Sequence, residues 1–406
     1  MPAAEPHAPS SWLPIALAGL CASLIGLGIG RFAYVPLLPL MIDSQWTSVA
    51  GASQIAAANL VGYLLGGATA HRIALWRGAG PAIRGAMLAI LCSLVACSVN
   101  FGVLWLWIWR MTAGAAGGIL MILAAPYLMQ QIAPRLRGKA IGIVFSGIGI
   151  GIVFSGLAVP AIGGANLGAA WLLLAAFVLP ALLFAWPKFG NPPAAETRAA
   201  TPQPLWPRGA LLALLCAYVL DAIGYLPHTV FWVEYLVHDL GKPLAIGGVF
   251  WAVFGAGAAI GPLLTGIAAD RYGFRNTLVA CFACKAVVVS LPLLSTSMPA
   301  LFISSFAVGA LTPGMVAVAS GRAVELGGVA AHQRNWAMMT FLYALVQAVA
   351  GYAMAAMYAV THSFTLLFSI AGAVLLLAAV IAGAGRSNVS LKKAALAKDS
   401  AARSDA

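Results

Sequence analysis

Gly26-Leu27-Gly28-Ile29-Gly30-Arg31-Phe32-Ala33-Tyr34-Val35-Pro36-Leu37-Leu38-Pro39-Leu40-Met41 lies inside an apolar run, Trp12 to Ile42, whose one full charge is Arg31. A guanidinium keeps its proton. Burying it in hydrocarbon is costly, so it must face a partner, a backbone carbonyl or water. Three glycines at alternate positions let a neighbouring helix or a ligand approach, and they weaken the helix. Pro36 and Pro39 remove backbone donors and predict a kink at the prolines. The stretch reads as the working segment of a membrane protein with an internal polar cavity.

The surrounding chain has the composition such a segment needs. Of 406 residues, 62% are hydrophobic and 8% charged, whereas soluble domains carry about a quarter charged residues. Apolar runs long enough to cross a bilayer as helices recur along the chain. The expected fold is an all-α polytopic membrane protein with twelve spans. They lie at roughly 12–42, 48–70, 82–99, 101–132, 139–161, 168–187, 209–237, 244–269, 277–296, 299–320, 335–358 and 363–384. At about 1.5 Å per residue the first is about 46 Å long against a core of about 30 Å, so it must tilt, bend or protrude. No Lys or Arg precedes Trp12, so a removable signal peptide is not expected.

The net charge of +12 would suggest nucleic acid in a soluble protein. Here the charges sit in short loops and report orientation instead. The loops after spans 2, 4, 6, 8 and 10 and the tail with Lys392-Lys393 hold the basic residues, while only Lys242 lies clearly on the other side. By the positive-inside rule both termini are cytoplasmic, in a multi-pass cell (inner) membrane protein. All six cysteines fall in apolar runs. Cys281-x-x-Cys284 lacks a second pair or a nearby His, so both are read as small buried thiols.

The segment Lys188–Arg208, with Asn191-Pro192-Pro193 and Thr201-Pro202-Gln203-Pro204, is too polar and proline-rich to span. It divides the chain into a six-helix bundle at about 1–187, a cytoplasmic loop at 188–208, a second bundle at 209–385 and a basic tail at 386–406. The halves are similar. Leu20-Cys21-Ala22 recurs as Leu215-Cys216-Ala217, Gly62…Gly67-x-x-x-His71-Arg72 as Gly261…Gly266-x-x-x-Asp270-Arg271, and Arg137-Gly138-Lys139-Ala140 as Arg334-Asn335-Trp336-Ala337. These matches keep one order at offsets of about two hundred residues. Two like-oriented six-helix halves are a transporter architecture with the site at the midplane between them.

Gly266-Ile267-Ala268-Ala269-Asp270-Arg271-Tyr272-Gly273-Phe274-Arg275 resembles the loop motif G-x-x-x-D-R-x-G-R-R of the major facilitator superfamily. His71 takes the acidic position in the first-half copy. Leu106-x-x-x-Arg110-x-x-x-Gly114 is similar to the superfamily's membrane-embedded arginine motif. Ser155-x-x-x-Val159-Pro160-x-x-Gly163-Gly164 is near its antiporter pattern, with both earlier glycines replaced. Gly30-Arg31-Phe32-Ala33-Tyr34-x-Pro36-Leu37-Leu38-Pro39 and Gly224-Tyr225-Leu226-Pro227-His228-Thr229-Val230-Phe231 resemble the YbfB-like branch. The resemblance implies secondary transport by alternating access, two pseudo-symmetric bundles, spans 1, 4 and 7 around a central cavity, and a conformational latch at Asp270, Arg271 and Arg275.

Arg31 and Arg110 are read as substrate contacts, or as structural charges tethering helices. Asp221 is the only carboxylate deep in a span. It is either a proton-coupling group balanced between desolvation and a nearby cation, or a static ion pair with Arg31 or Arg110. His228 is a proton-relay candidate or a hydrogen-bonded structural histidine. Tyr34, Asn59, Tyr225 and Gln347 complete the substrate-site expectation, and Tyr63, Trp251 and Tyr343 offer further polar handles; each could equally bond a neighbouring helix. Lys285 is expected to snorkel to the surface, and Glu234 and Asp239 to sit in the headgroup zone. The repeated Gly142-Ile-Val-Phe-Ser146-Gly147 and Gly151-Ile-Val-Phe-Ser155-Gly156 give small faces for helix packing.

The leading functional expectation is a secondary active transporter for a small organic solute, a proton-coupled anionic metabolite. The alternatives are a drug or metabolite/proton antiporter and a non-transporting membrane sensor. An enzyme is not expected, since neither His-Glu-x-x-His nor Gly-x-Ser-x-Gly occurs. No cofactor, metal or nucleic acid is expected. The partners are the solute, protons and the lipid bilayer, and the chain is expected to act as a monomer.

Overall fold

The computed structural model describes residues 12–133, 136–163, 166–190 and 209–385. Most of the central loop, the basic tail, Arg135 and Gly164 lie outside the described residues. Those described form helices, with no strand among them. Eleven helices are long and apolar enough to cross a membrane, and a shorter apolar helix, Ala210–Gly224, begins the remaining span. The fold is the expected all-α polytopic one. Several helices overrun their expected ends. Span 2 runs Val49–Arg77, span 10 Met298–Gly327 and span 11 Val329–Thr361. Polar turns extend each helix past the apolar stretch that marked it in the sequence, at the end of spans 2 and 10 and mainly at the start of span 11.

Span 1 breaks earlier than its prolines predict. Trp12–Ser23 is α-helical, Leu24–Ile29 is π-helical, residues 30–33 form a turn, and Tyr34–Asp43 resumes as α-helix. Gly30 N–H reaches back to Ile25 O at 2.9 Å and Phe32 N–H to Leu27 O at 3.0 Å, both one residue further than an α-helix allows. Pro36 and Pro39 cannot donate to the carbonyls four residues before them, so strain falls on the turn ahead of them, where glycine tolerates it. Span 7 is broken at the matching place, into Ala210–Gly224, Leu226–Val230 and Trp232–Glu234, with a π-helical turn Tyr235–Asp239 leading out.

The internal repeat is visible in the packing. An added Cβ at Gly62 of span 2 would meet the Met111 carbonyl of span 4, and one at Gly261 of span 8 would meet the Ala310 carbonyl of span 10. These contacts are related by the same offset of about two hundred residues. The turns between spans 2 and 3 and between spans 8 and 9 both pass through a glycine at positive φ, Gly78 at 89° and Gly273 at 81°, a conformation other residues rarely adopt.

The halves meet near the loops that carry few charges, called here the neutral-loop face. Span 5 crosses span 8 backbone to backbone: Gly149 faces Gly255, and Gly156 faces Gly248. Two other glycines of span 5, Gly147 and Gly151, pack against span 1 of its own half. Span 2 packs on span 11, and the Tyr34–Asp43 helix packs on spans 7 and 8. Toward the basic-loop face, a Cβ at Gly142 of span 5 or Gly266 of span 8 would meet nothing within 4 Å. The bundles are thus closed at the neutral-loop face and parted toward the basic one.

Candidate functional site

The breaks in spans 1 and 7 face each other and place charged side chains between the bundles. Arg31 leaves the turn of span 1 and donates from Nη2 to the Tyr225 hydroxyl of span 7 at 2.9 Å. Its guanidinium also lies 5.1 Å from the ring centres of Phe32 and Tyr63. Arg110, 1% exposed in span 4, donates from Nη2 to the Arg31 carbonyl at 3.3 Å. It lies over the rings of Tyr34 at 5.1 Å and Trp171 at 5.8 Å, which offset part of its desolvation. Its Nε and Nη1 have no hydrogen-bond partner among the described residues.

Arg31, Tyr34, Asn59 and Arg110 line one cavity with Val35, Ala56, Leu60, Thr229 and Val230. Its free space is about 20 Å³, room for about one water molecule, so a solute enters only when the walls move apart. Asn59 donates to Gly30 O at 3.3 Å and to Arg110 O at 2.9 Å, tying the break of span 1 to span 4. Its Oδ1 has no partner among the described residues. Tyr34 spends its hydroxyl on Ala52 O at 2.8 Å, so it presents its ring to the site. Tyr225 holds Arg31 without lining the cavity. Gln347 is fully buried in span 11 with neither amide atom partnered among the described residues, and it too lies outside the cavity lining.

Asp221 pairs with neither arginine. Its Oδ1 receives a hydrogen bond from Lys285 Nζ at 2.8 Å, and the two side chains are 1% and 0% exposed. Tyr343 O–H donates to Oδ2 at 3.4 Å. Lys285 therefore does not snorkel. Its helix starts at Phe274 and ends at Leu294, so the residue lies about 16 Å along a helix facing the bundle, too deep for its stem to reach water. Counting charges would have exposed the pair, because a deep carboxylate among buried cations needs a partner. The Arg31–Tyr225 bond joins the cavity to this pair: Tyr225's ring lies 5.0 Å from Lys285 Nζ and 6.1 Å from Tyr343's ring.

His228 is buried one turn beyond Tyr225. Its Nε2 lies 2.7 Å from Ser304 Oγ, and that hydroxyl donates to Val288 O at 2.6 Å. Nε2 therefore carries the proton and donates to the serine. The ring stacks on Trp232 at 4.2 Å. Glu234, expected to sit in the headgroup zone, is instead buried in the protein, 1% exposed and close to His238. Asp270 and Arg271 are exposed, and no ion pair to either is found among the described residues. Arg275 instead donates to the Gly383 carbonyl of span 12, and Arg322, paired with Glu325 at 2.6 Å, donates to Gly385 O at 3.3 Å. Both basic side chains thus hold the end of span 12.

Two bundles of like fold, meeting at broken spans 1 and 7, are the architecture of the major facilitator superfamily of transporters. Residues 23–383 match the family described as "Uncharacterised MFS-type transporter YbfB", and the chain belongs to that family. A comparison with curated protein sequences gives no match. Among solved structures, a D-xylose–proton symporter is similar at 16% identity and TM-score 0.71, covering 91% of this chain and 96% of its own. The xylose transporter XylE from E. coli, in an inward-open conformation, gives 14%, 0.71, and 91% and 95%. A peptide transporter in complex with sulfate gives 14%, 0.73, and 94% and 95%. At these identities the likeness is one of fold.

Proposed function

We propose that this transporter moves a small organic anion across the cell (inner) membrane by alternating access, coupled to protons, with both termini in the cytoplasm and one chain as the working unit. The observation that carries the reading is the charge balance between the bundles. Arg31 and Arg110 meet in one cavity without a carboxylate partner among the described residues, while Asp221 is taken by Lys285. A carboxylate solute would supply the missing acceptors to Arg110 Nε and Nη1, in charge-assisted bonds that are roughly twice as strong as neutral ones. Asp221 is the proton-coupling group on this reading, since its protonation frees Lys285 and loosens spans 7, 9 and 11 from one another. His228, with its proton on Nε2 committed to Ser304, tethers span 7 to span 10.

The antiporter alternative needs Asp221 free to bind a cation, and the Lys285 ion pair opposes that. The proton-symporter and peptide-transporter neighbours support proton-driven movement of small solutes as the starting point for a screen. The test is uptake into proteoliposomes of small carboxylates, neutral sugars and organic cations, with and without an imposed pH gradient. Wild type is expected to accumulate a carboxylate when the gradient is applied, and Asp221→Asn to lose the response to the gradient while keeping exchange. Accumulation of cations alone would favour the antiporter, and movement of no solute would favour a sensor.

A further inference from the structure

One cluster at the neutral-loop face is unused by the anion site. Asp43 ends span 1, in the first bundle. Glu234 and His238 lie one helical turn apart at the end of span 7, in the second. His238 Nε2 is 2.9 Å from Asp43 Oδ1, and Nδ1 is 3.0 Å from Glu234 Oε2. The Nδ1 contact is close but poorly aligned for a hydrogen bond, so it acts chiefly through charge. Asp43 is 53% exposed, His238 33% and Glu234 1%, so solvent protons reach the imidazole from the Asp43 side.

A neutral imidazole has one N–H and one lone pair. With a carboxylate oxygen near each nitrogen, a neutral ring would turn its lone pair on an anion. The arrangement is satisfied when the cluster holds one extra proton, with both ring nitrogens protonated. We propose that Asp43, His238 and Glu234 form a proton-binding site that latches the two bundles together at this face. It rests on the two-bundle rocking reading and is independent of the solute's identity. The proton joins a lone pair on the imidazole; no other bond changes.

Among the other charged groups at this end, Lys242, whose backbone N–H bonds Leu236 O at 2.9 Å, is a cation and opposes the proton. Asp239 adds negative charge, and Tyr34, Tyr235 and Tyr358 lie within electrostatic reach of Glu234 or Asp239. Burial opposes the charge on His238, which stands past the end of span 7, but Asp43 and Glu234 outweigh it and raise its pKa above the ordinary 6.5. The sign follows. Parting the bundles removes Asp43 from the ring, so the open form holds the proton less tightly. The latch is complete below the open form's pKa and is lost as pH rises through the raised value of the closed form. The upper edge of the window therefore lies above the ordinary histidine value of about 6.5. When the proton leaves, the ring loses one bridge, and Glu234 and Asp43 remain as like charges.

The test is the distance between nitroxides at Ser44 and Ala245, on opposite bundles at this face, measured by pulsed spin resonance on the full chain without solute. In wild type the closed-to-open ratio is expected to fall as pH rises from 6 to 8.5, about tenfold per unit between the closed and open pKa values. His238→Gln, which bonds but holds no proton, is expected to give a ratio independent of pH over this range. Asp43→Asn, at an exposed position that tolerates the change, is expected to lower the closed fraction at pH 6. An unchanged wild-type ratio, or wild-type pH dependence in His238→Gln, would overturn the latch. Because no solute is present, failure of the anion reading leaves this result readable.

Discussion

Lys285→Met destabilises the protein by about 3–5 kcal/mol, the usual cost of removing one partner from a buried ion pair. Asp221 is then left at 1% exposure with only the Tyr343 hydroxyl, 3.4 Å away. Adding Asp221→Leu to Lys285→Met restores most of the stability, because an apolar pair of similar volume often replaces a buried ion pair without loss. The double variant nevertheless fails to accumulate solute in response to an imposed proton gradient. Thermal unfolding in detergent and proteoliposome uptake read the two effects separately. A Lys285→Met protein as stable as wild type would mean that Asp221 is already neutral in the folded chain, and the pair would not be ionic.

Gly156→Leu reduces transport by about fivefold to a hundredfold, although the residue touches no charged group. An added Cβ lies 2.6 Å from the Gly248 carbonyl and 2.8 Å from the Ala252 nitrogen. Both are backbone atoms, which cannot swing aside as a side-chain tip can. Overpacking of this kind costs about 1–3 kcal/mol, and here it falls on the conformation closed at the neutral-loop face. The variant therefore accumulates in the form open at that face. Accessibility of a cysteine placed at Val230 in the cavity wall would report the shift. Gly142→Leu meets open space in this conformation and should leave the closed form undisturbed. Wild-type transport by Gly156→Leu would place the hinge of the motion elsewhere.

The fold was largely legible because a membrane span is a long-range compositional signal, and twelve of them at a repeated offset leave few arrangements. Arg31, Tyr34, Asn59 and Arg110, which line one cavity, were legible as groups needing partners for a related reason: a charge or polar group in an apolar run must be compensated. Partnership was not legible. Lys285 read as a snorkelling side chain because its helix starts at Phe274, earlier than its hydropathy suggests. Glu234 read as a headgroup-zone acid, and nothing in the spacing of Asp43 and His238 shows that the ends of spans 1 and 7 meet. The break in span 1 fell in the glycines ahead of Pro36, because proline's missing donors weaken the carbonyls four residues before it. Such tertiary pairings are set by how helices rotate about their axes, which a span's composition does not encode.

The claim that an anion is gripped between the bundles is tested most directly by equilibrium binding of the accumulated carboxylate to wild type, Arg31→Lys and Arg110→Gln in detergent. Arg110→Gln removes two unpartnered donors and one cation, and a charged hydrogen bond is worth about 1.5–3 kcal/mol. Affinity is expected to fall about tenfold to a hundredfold, with stability close to wild type. Arg31→Lys keeps the charge but loses the planar fork, and it is expected to weaken binding less. Undiminished carboxylate affinity in Arg110→Gln, at wild-type stability, would contradict the account and make the two arginines structural charges.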